Sequence, residues 1–246
     1  MASWKVDRVG AVARLTLARP PVNALDQEAL DELAAAIMEA RGARALIVTG
    51  GLWNVFCSGG DLKYWRAIRD GGRVSDSGRA VFSQIERLEM PTVAALNGSV
   101  IGDGLALALA CDLRLASESA SFRLPELGYG FIPGWGPIHS LIGLVGRARA
   151  TEMLLTGRTC DAHEARHMGL VHDVASPERL QEAALRLARS LAALSAPAMR
   201  AAKCALRGGD ERACFEGVWG KKDWEEGIEA LFARRPPAFD RMEDRT

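Results

Sequence analysis

Short apolar runs separated by stripes of helical period mark the first 110 residues of the chain. WKVDRV (4–9), AVARLTLA (11–18) and ALIVTG (45–50) read as strands. Between the second and third, residues 26–41 set Leu30, Leu33, Ile37 and Met38 on one face and place Glu28 and Asp31 in the opening turns, where a helix dipole favours acids; this predicts a core-facing helix. A polar stretch after Gly71-Gly72 leads to a helix expected near 79–89, and Pro91 introduces another strand, TVAALNG. From about Pro137 the pattern turns mostly helical, with residues 176–194 the clearest amphipathic segment. Strands alternating with helices predict an α/β core followed by a helical C-terminal third. There is no internal repeat, and the Ala-rich stretches at 34–45 and 183–205 are good helix formers.

Composition narrows the class. The 246 residues carry 31 Lys+Arg against 31 Asp+Glu with 48% apolar positions, the profile of one water-soluble globular domain. A formal charge of zero gives no electrostatic footprint for nucleic acid or an anionic membrane surface. The longest apolar run, Leu105 to Cys111, is far short of the roughly 20 residues that span a bilayer, and the N-terminus has no secretory pattern. Five cysteines without CxxC spacing read as reduced thiols, and the expected compartment is the cytoplasm.

Four segments can carry chemistry. His163-Glu164-Ala165-Arg166-His167 matches HExxH, which on a helix puts two imidazoles on one face. A catalytic zinc needs a third ligand, and neither His172, Glu178 nor Glu182 has a spacing that supplies one. The segment therefore reads as an amphipathic helix with Ala165, Met168 and Leu170 inward and the histidines solvated, and no metal is expected. Gly128-x-Gly130 and Gly134-x-Gly136 do not complete a dinucleotide fingerprint and read as turns needing open torsions. Ser58-Gly59-Gly60 and Gly102-Asp103-Gly104 each end a strand just before a helix. Peptide N–H groups there lack intrahelical partners, so two such turns facing one cavity would stabilise an oxyanion, or else are ordinary strand-to-helix turns. Glu126, in the apolar and glycine-rich stretch FRLPELGYGFIPGWG, is either a surface acid after a proline or a carboxyl whose apolar setting raises its pKa toward neutrality.

Taken together these segments resemble the crotonase superfamily, the enoyl-CoA hydratase/isomerase family. The matching pieces occur in family order: RPPVNAL (19–25), FCSGGDL (56–62), NGSVIGDGLALALACDLRLAS (97–117), FRLPELGYGFIPGWG (122–136), AxEAxxxGLV (162–171) and EEGIEALFARRPPAF (225–239). The resemblance implies a spiral of repeated ββα turns over residues 1–194 with a CoA-thioester site, and a helical oligomerisation region over 195–246 that builds a homo-trimer or hexamer. It implies an acyl-CoA thioester as substrate, with coenzyme A entering as part of it and no separate cofactor. Carried over position by position, the oxyanion donors fall on Gly60 and Asp103, and Glu126 is the carboxylate that manages the proton. Ser58 falls beside the adenine of CoA, Ala24 also lies in its binding segment, Lys63 faces its phosphates, and Arg234 can reach the CoA of a neighbouring subunit.

Two positions depart from the family pattern. A hydratase has a second glutamate three residues after the second oxyanion donor, and here that residue is Ala106. Adding water across an enoyl thioester takes one group for the water and another for the α proton. Moving a double bond takes a single carboxylate, so the sequence favours an isomerase, with a hydratase or a catalytically silent acyl-CoA binder as alternatives and decarboxylation or thioester hydrolysis further behind. At position 103 an aspartate replaces the glycine of many members. An ionised carboxylate beside a developing oxyanion opposes catalysis, so its side chain is expected to turn away or be neutralised. Trp135 either lines the acyl pocket or packs as a core indole.

Overall fold

The computed structural model describes residues 2–239. Strands β1 (Trp4–Val9) and β2 (Val12–Leu17) form an antiparallel hairpin, and β3 (Ala45–Gly50), β5 (Thr92–Leu96) and β7 (Leu113–Ser117) continue the sheet in parallel. A smaller sheet aligns β4 (Val55–Cys57), β6 (Ser99–Ile101) and β8 (Ser121–Arg123) in parallel. Each successive turn of the chain gives one strand to the large sheet and the next to the small one. Helices follow: α2 (Leu62–Trp65) and α3 (Gly71–Glu86) after β4, α4 (Asp103–Leu109) after β6, and a 3-10 turn (Glu126–Tyr129) after β8. This is the expected ββα spiral, and it brings the loops leaving β4, β6 and β8 to one edge.

The central strands are buried on both faces, which is why their apolar runs are continuous rather than alternating. On one face lie α1 (Gln27–Glu39) and α3; on the other, Val12, Ile47, Val93 and Leu115 meet Leu180, Ala184 and Ala188 of α8 (Leu180–Ala192). Helix α1 falls within the expected range, with Asp26 as its cap accepting the Ala29 N–H at 2.9 Å. Met38 does not face the core: it is exposed, because it lies about 140° round the axis from Leu33, while Ala29, Ala36 and Ile37 complete the buried stripe.

Helix α3 starts eight residues earlier than the expected 79 and ends at Glu86. Asp70 caps it by accepting the Arg73 N–H at 3.1 Å, and the Ser77 hydroxyl returns to the Arg73 carbonyl at 2.6 Å. A polar first half with glycines at its start gave no apolar period to read. The C-terminal part is largely helical, with α5 (Pro137–Val145), α6 (Arg147–Thr156), α7 (Ala162–His167), α9 (Ala196–Leu206), α10 (Glu211–Glu216) and α11 (Lys222–Phe232). It also holds two unexpected short strands. β9 (Cys160–Asp161) pairs antiparallel with β8, and β10 (Asp173–Ala175) pairs parallel with β7 as the last strand of the large sheet. Two or three residues are too few to show a period.

Helix α7 carries the HExxH segment as read: Ala165, Met168 and Leu170 are buried, and His163 and His167 are exposed. Among the described residues no cluster of His, Cys, Asp and Glu could hold a metal, and no helix is long and apolar enough to cross a membrane. Helix α9 is tied to the core by Lys203, whose buried ammonium donates to the Met90 carbonyl at 2.7 Å and pairs with Asp112.

Candidate active site

The first glycine turn is held by the segment at 19–25. Leu25 donates its N–H to the Gly59 carbonyl and accepts the Asp61 N–H, each at 2.8 Å, so Leu25 and Gly60 form a parallel bridge. In that ladder pattern the residue between the two bonded groups turns its own peptide the other way. The Gly60 N–H therefore points away from Leu25. Asn23 is fully buried and sews the same segment to β4 through the Val55 and Phe56 carbonyls, at 3.2 and 3.0 Å. Arg19 pairs with Asp26 and Asp61 and donates to the Ala24 carbonyl at 2.9 Å, and Asp61 in turn caps α2.

The second turn lies against the first. Asp103 is the opening residue of α4, where an N–H has no intrahelical acceptor. Gly59, at φ +85°, passes so close that a Cβ there would sit 3.0 Å from the Asp103 nitrogen. Gly104 lies flush on β4, where a Cβ would come within 2.2 Å of the Cys57 carbonyl. The Gly60 and Asp103 turns thus pack together through Gly59 at the start of a helix whose dipole adds to the field of free N–H groups there, an arrangement suited to an oxygen gaining negative charge.

Glu126 opens the 3-10 turn and is buried, not a surface acid. A Cβ on Gly102 would stand 2.5 Å from its Oε1, so the carboxyl rests directly on the turn that carries Asp103. Its Oε2 is buried with no hydrogen-bond partner among the described residues. Burial pushes the carboxyl up to about 7, and the charge of Asp103 adds in the same direction. A base poised near neutrality with an unused lone pair is what proton abstraction requires.

The Asp103 side chain turns to the neighbouring loop, where its Oδ1 accepts the Trp135 N–H at 2.9 Å. Burial raises this carboxyl to about 6, against the pull of the Trp135 and Gly134 N–H groups. Ala106, one turn along α4, is buried. Trp135 is also buried, and its indole edge borders Gly60, where a Cβ would lie 3.4 Å from Cη2.

The whole chain can be compared with known proteins on this footing. Residues 7–240 match the profile of the family described as Enoyl-CoA hydratase/isomerase. The chain belongs to that family. A Bacillus subtilis (strain 168) protein bearing the hydratase/isomerase name is 38% identical over 93% of this chain and 94% of its own length. The 2,3-dehydroadipyl-CoA hydratase of Escherichia coli (strain K12) is 34% identical over 97% of this chain and 99% of its own. A crystal structure of an enoyl-CoA hydratase from Bacillus anthracis superposes with a TM-score of 0.91 at 33% identity, covering 96% of this chain and 98% of that one. The fold and the general chemistry, an acyl-CoA enzyme, follow.

Within this hydratase/isomerase, Gly60, Asp103 and Glu126 are brought to one place. Ser58 and Ala24 are half-buried on the two segments joined by the Leu25–Gly60 bridge, and Lys63 is exposed on the first turn of α2 beside them. Arg234 is exposed just past α11, at φ +52°. The sequence reading named the SGG and GDG turns and the RPPVNAL stretch, but not the part that three of their residues play. Gly102 makes room for Glu126, Gly59 lets the two turns touch, and Arg19 braces the first turn through ion pairs. Their only sequence signal is membership of the RPPVNAL, SGG and GDG stretches.

Proposed function

We propose that the chain is an enoyl-CoA isomerase with Glu126 as its only proton shuttle. The carboxylate of Glu126 takes a proton from the α carbon of a 3-enoyl thioester, and the electron pair moves into a dienolate whose oxygen is held by the N–H groups of Gly60 and Asp103. Glu126 returns the proton to the γ carbon, leaving the double bond conjugated with the thioester. Ser58 and Ala24 border the CoA moiety, Lys63 meets its phosphates, and Arg234 serves a neighbouring subunit. The observation that carries this reading is the buried carboxyl of Glu126, whose Oε2 has no hydrogen-bond partner among the described residues, with a methyl group at 106 in place of a second acid.

Hydration is the second reading. Relatives such as the 2,3-dehydroadipyl-CoA hydratase and the short-chain-enoyl-CoA hydratase of Clostridium acetobutylicum carry that name, and Asp103 supplies a second, half-buried carboxyl within electrostatic reach of Glu126. A panel of 3-enoyl and 2-enoyl thioesters, followed by the absorbance of the conjugated product, separates the two. Ala106→Glu is expected to bring a detectable but modest gain in hydration of a 2-enoyl-CoA, because the new acid can hold a water opposite Glu126 while each carboxyl raises the other's pKa. A wild type that hydrates as fast as the variant overturns the isomerase reading; a protein that turns over no thioester but binds them is the silent family member.

The family's oligomers are proposed here as well. Helices α10 and α11 and the turn between them leave Phe215, Trp219, Leu231 and Phe232 exposed, with Phe215 stacked on Trp219 at 5.0 Å. So much apolar surface on one end of a chain calls for a partner. The mass in solution is expected to be that of three or six subunits, and a stable monomer at micromolar concentration counts against it and against the role given to Arg234.

A further inference from the structure

The indole of Trp135 is fastened on every side. Its backbone N–H donates to Asp103, and its ring N–H donates to the Val74 carbonyl of α3 at 2.8 Å. The ring meets Trp65 and Phe82 edge-on, with centroids 5.8 and 5.6 Å away. Beneath it α3 carries Gly78, where a Cβ would stand 2.1 Å from the indole Cδ2. The preceding carbonyl, of Gly134, is held by the Ser75 hydroxyl at 2.8 Å. One turn of α3 is therefore shaped to receive this ring, through Val74, Ser75 and Gly78. The far edge of the ring reaches the first oxyanion turn at Gly60.

Resting on the functional reading above, we infer that Trp135 is the end wall of the acyl pocket and restricts this enzyme to short acyl-CoA thioesters. A thioester carbonyl placed on the Gly60 and Asp103 N–H groups, with its α carbon against Glu126, sends its acyl chain along the wall between Gly60 and α3. That space holds the indole. A ring pinned by its own N–H bond to the Val74 carbonyl and by two aromatic neighbours cannot swing aside without breaking those contacts, so each added methylene meets a fixed surface. Because the same residue hangs from the Asp103 carboxylate, the wall and the second oxyanion donor are set by one residue of α4.

The test uses saturated acyl-CoAs, which bind without reacting. Butanoyl-CoA and decanoyl-CoA are titrated calorimetrically into the wild type, Trp135→Ala and Trp135→Phe, with circular dichroism confirming the fold of each. The wild type is expected to bind butanoyl-CoA at least about tenfold more tightly than decanoyl-CoA, since discrimination by a pocket wall is of that order per group excluded. Trp135→Ala is expected to reverse the preference. Trp135→Phe, which keeps an aromatic ring against Phe82 and Trp65 but is shorter, falls between and covers the case in which the alanine variant does not fold. Equal binding of both esters by the wild type, or an unchanged ratio in a folded variant, overturns the wall while leaving the functional reading intact. Failure of the wild type to bind either ester overturns both.

Discussion

Glu126→Gln is expected to lower turnover of the best enoyl thioester by at least about 10²-fold, the range for loss of a general base, with little change in affinity for a saturated acyl-CoA. The amide fills the same space beside Gly102 and leaves the Gly60 and Asp103 N–H groups where they are, so only proton transfer is removed. Steady-state kinetics paired with calorimetric binding reads both halves; near-normal rates would mean that another group moves the proton. The pH profile is a separate check. An ordinary carboxyl is fully ionised above pH 6, whereas Glu126 is raised to about 7, so wild-type kcat/KM is expected to climb across pH 6 to 8. The same shift has a cost in stability, and its sign follows from linkage. Between the ordinary value of 4.5 and about 7 the folded protein keeps a proton that the unfolded chain releases, so stability falls as pH rises through that window. Above it, Glu126→Gln is expected to melt higher than the wild type, by a few degrees as an order of magnitude. Melting curves at pH 4 and pH 8 test this: below the ordinary value of 4.5 the gain is nearly absent, and it is full only above about 7.

Gly102→Ala is expected to be nearly as damaging to activity without touching a reacting group. Gly102 sits at φ +57° and ψ −129°, a region open to glycine and strained for any residue with a Cβ. The added methyl would also stand 2.5 Å from Glu126 Oε1. Either the carboxyl moves or the turn carrying the Asp103 N–H does, and a shift near 1 Å in a reacting geometry costs on the order of 10²-fold. A lower melting temperature should accompany it. The double variant Gly102→Ala/Glu126→Gln separates the two effects: if the glycine acts through the placement of Glu126, its further effect on turnover largely vanishes once the carboxylate is gone, whereas the melting penalty persists. Full additivity in turnover would show that Gly102 serves only the fold.

Local pattern made much of this molecule legible. The apolar runs of β2, β3 and β5 and the stripe of Leu30, Leu33 and Ile37 state their own burial, since a strand or helix face in the core must be apolar whatever it packs against. The same holds for α7, where the spacing of Ala165 and Met168 outweighed two tempting histidines. Features with no period of their own were lost. Helix α3 begins on a polar cap, β10 is three residues made into a strand by β7, and Met38 was one position past the edge of its stripe.

At the site, residue types and their order already named Gly60, Asp103 and Glu126 through resemblance, and the missing acid at Ala106 could be seen without a structure. What the tertiary structure alone decided is how these groups act on one another. Gly59 touches residue 103, Gly102 touches residue 126, and Gly60 borders residue 135, contacts that join segments far apart in the chain. The Glu126 carboxyl is not raised to about 7 by its neighbours in sequence, nor does Asp103 turn to Trp135 because of a motif. Both follow from burial and from donors supplied across space, and a linear pattern records the partner of a residue only when that partner lies within its own helix or strand.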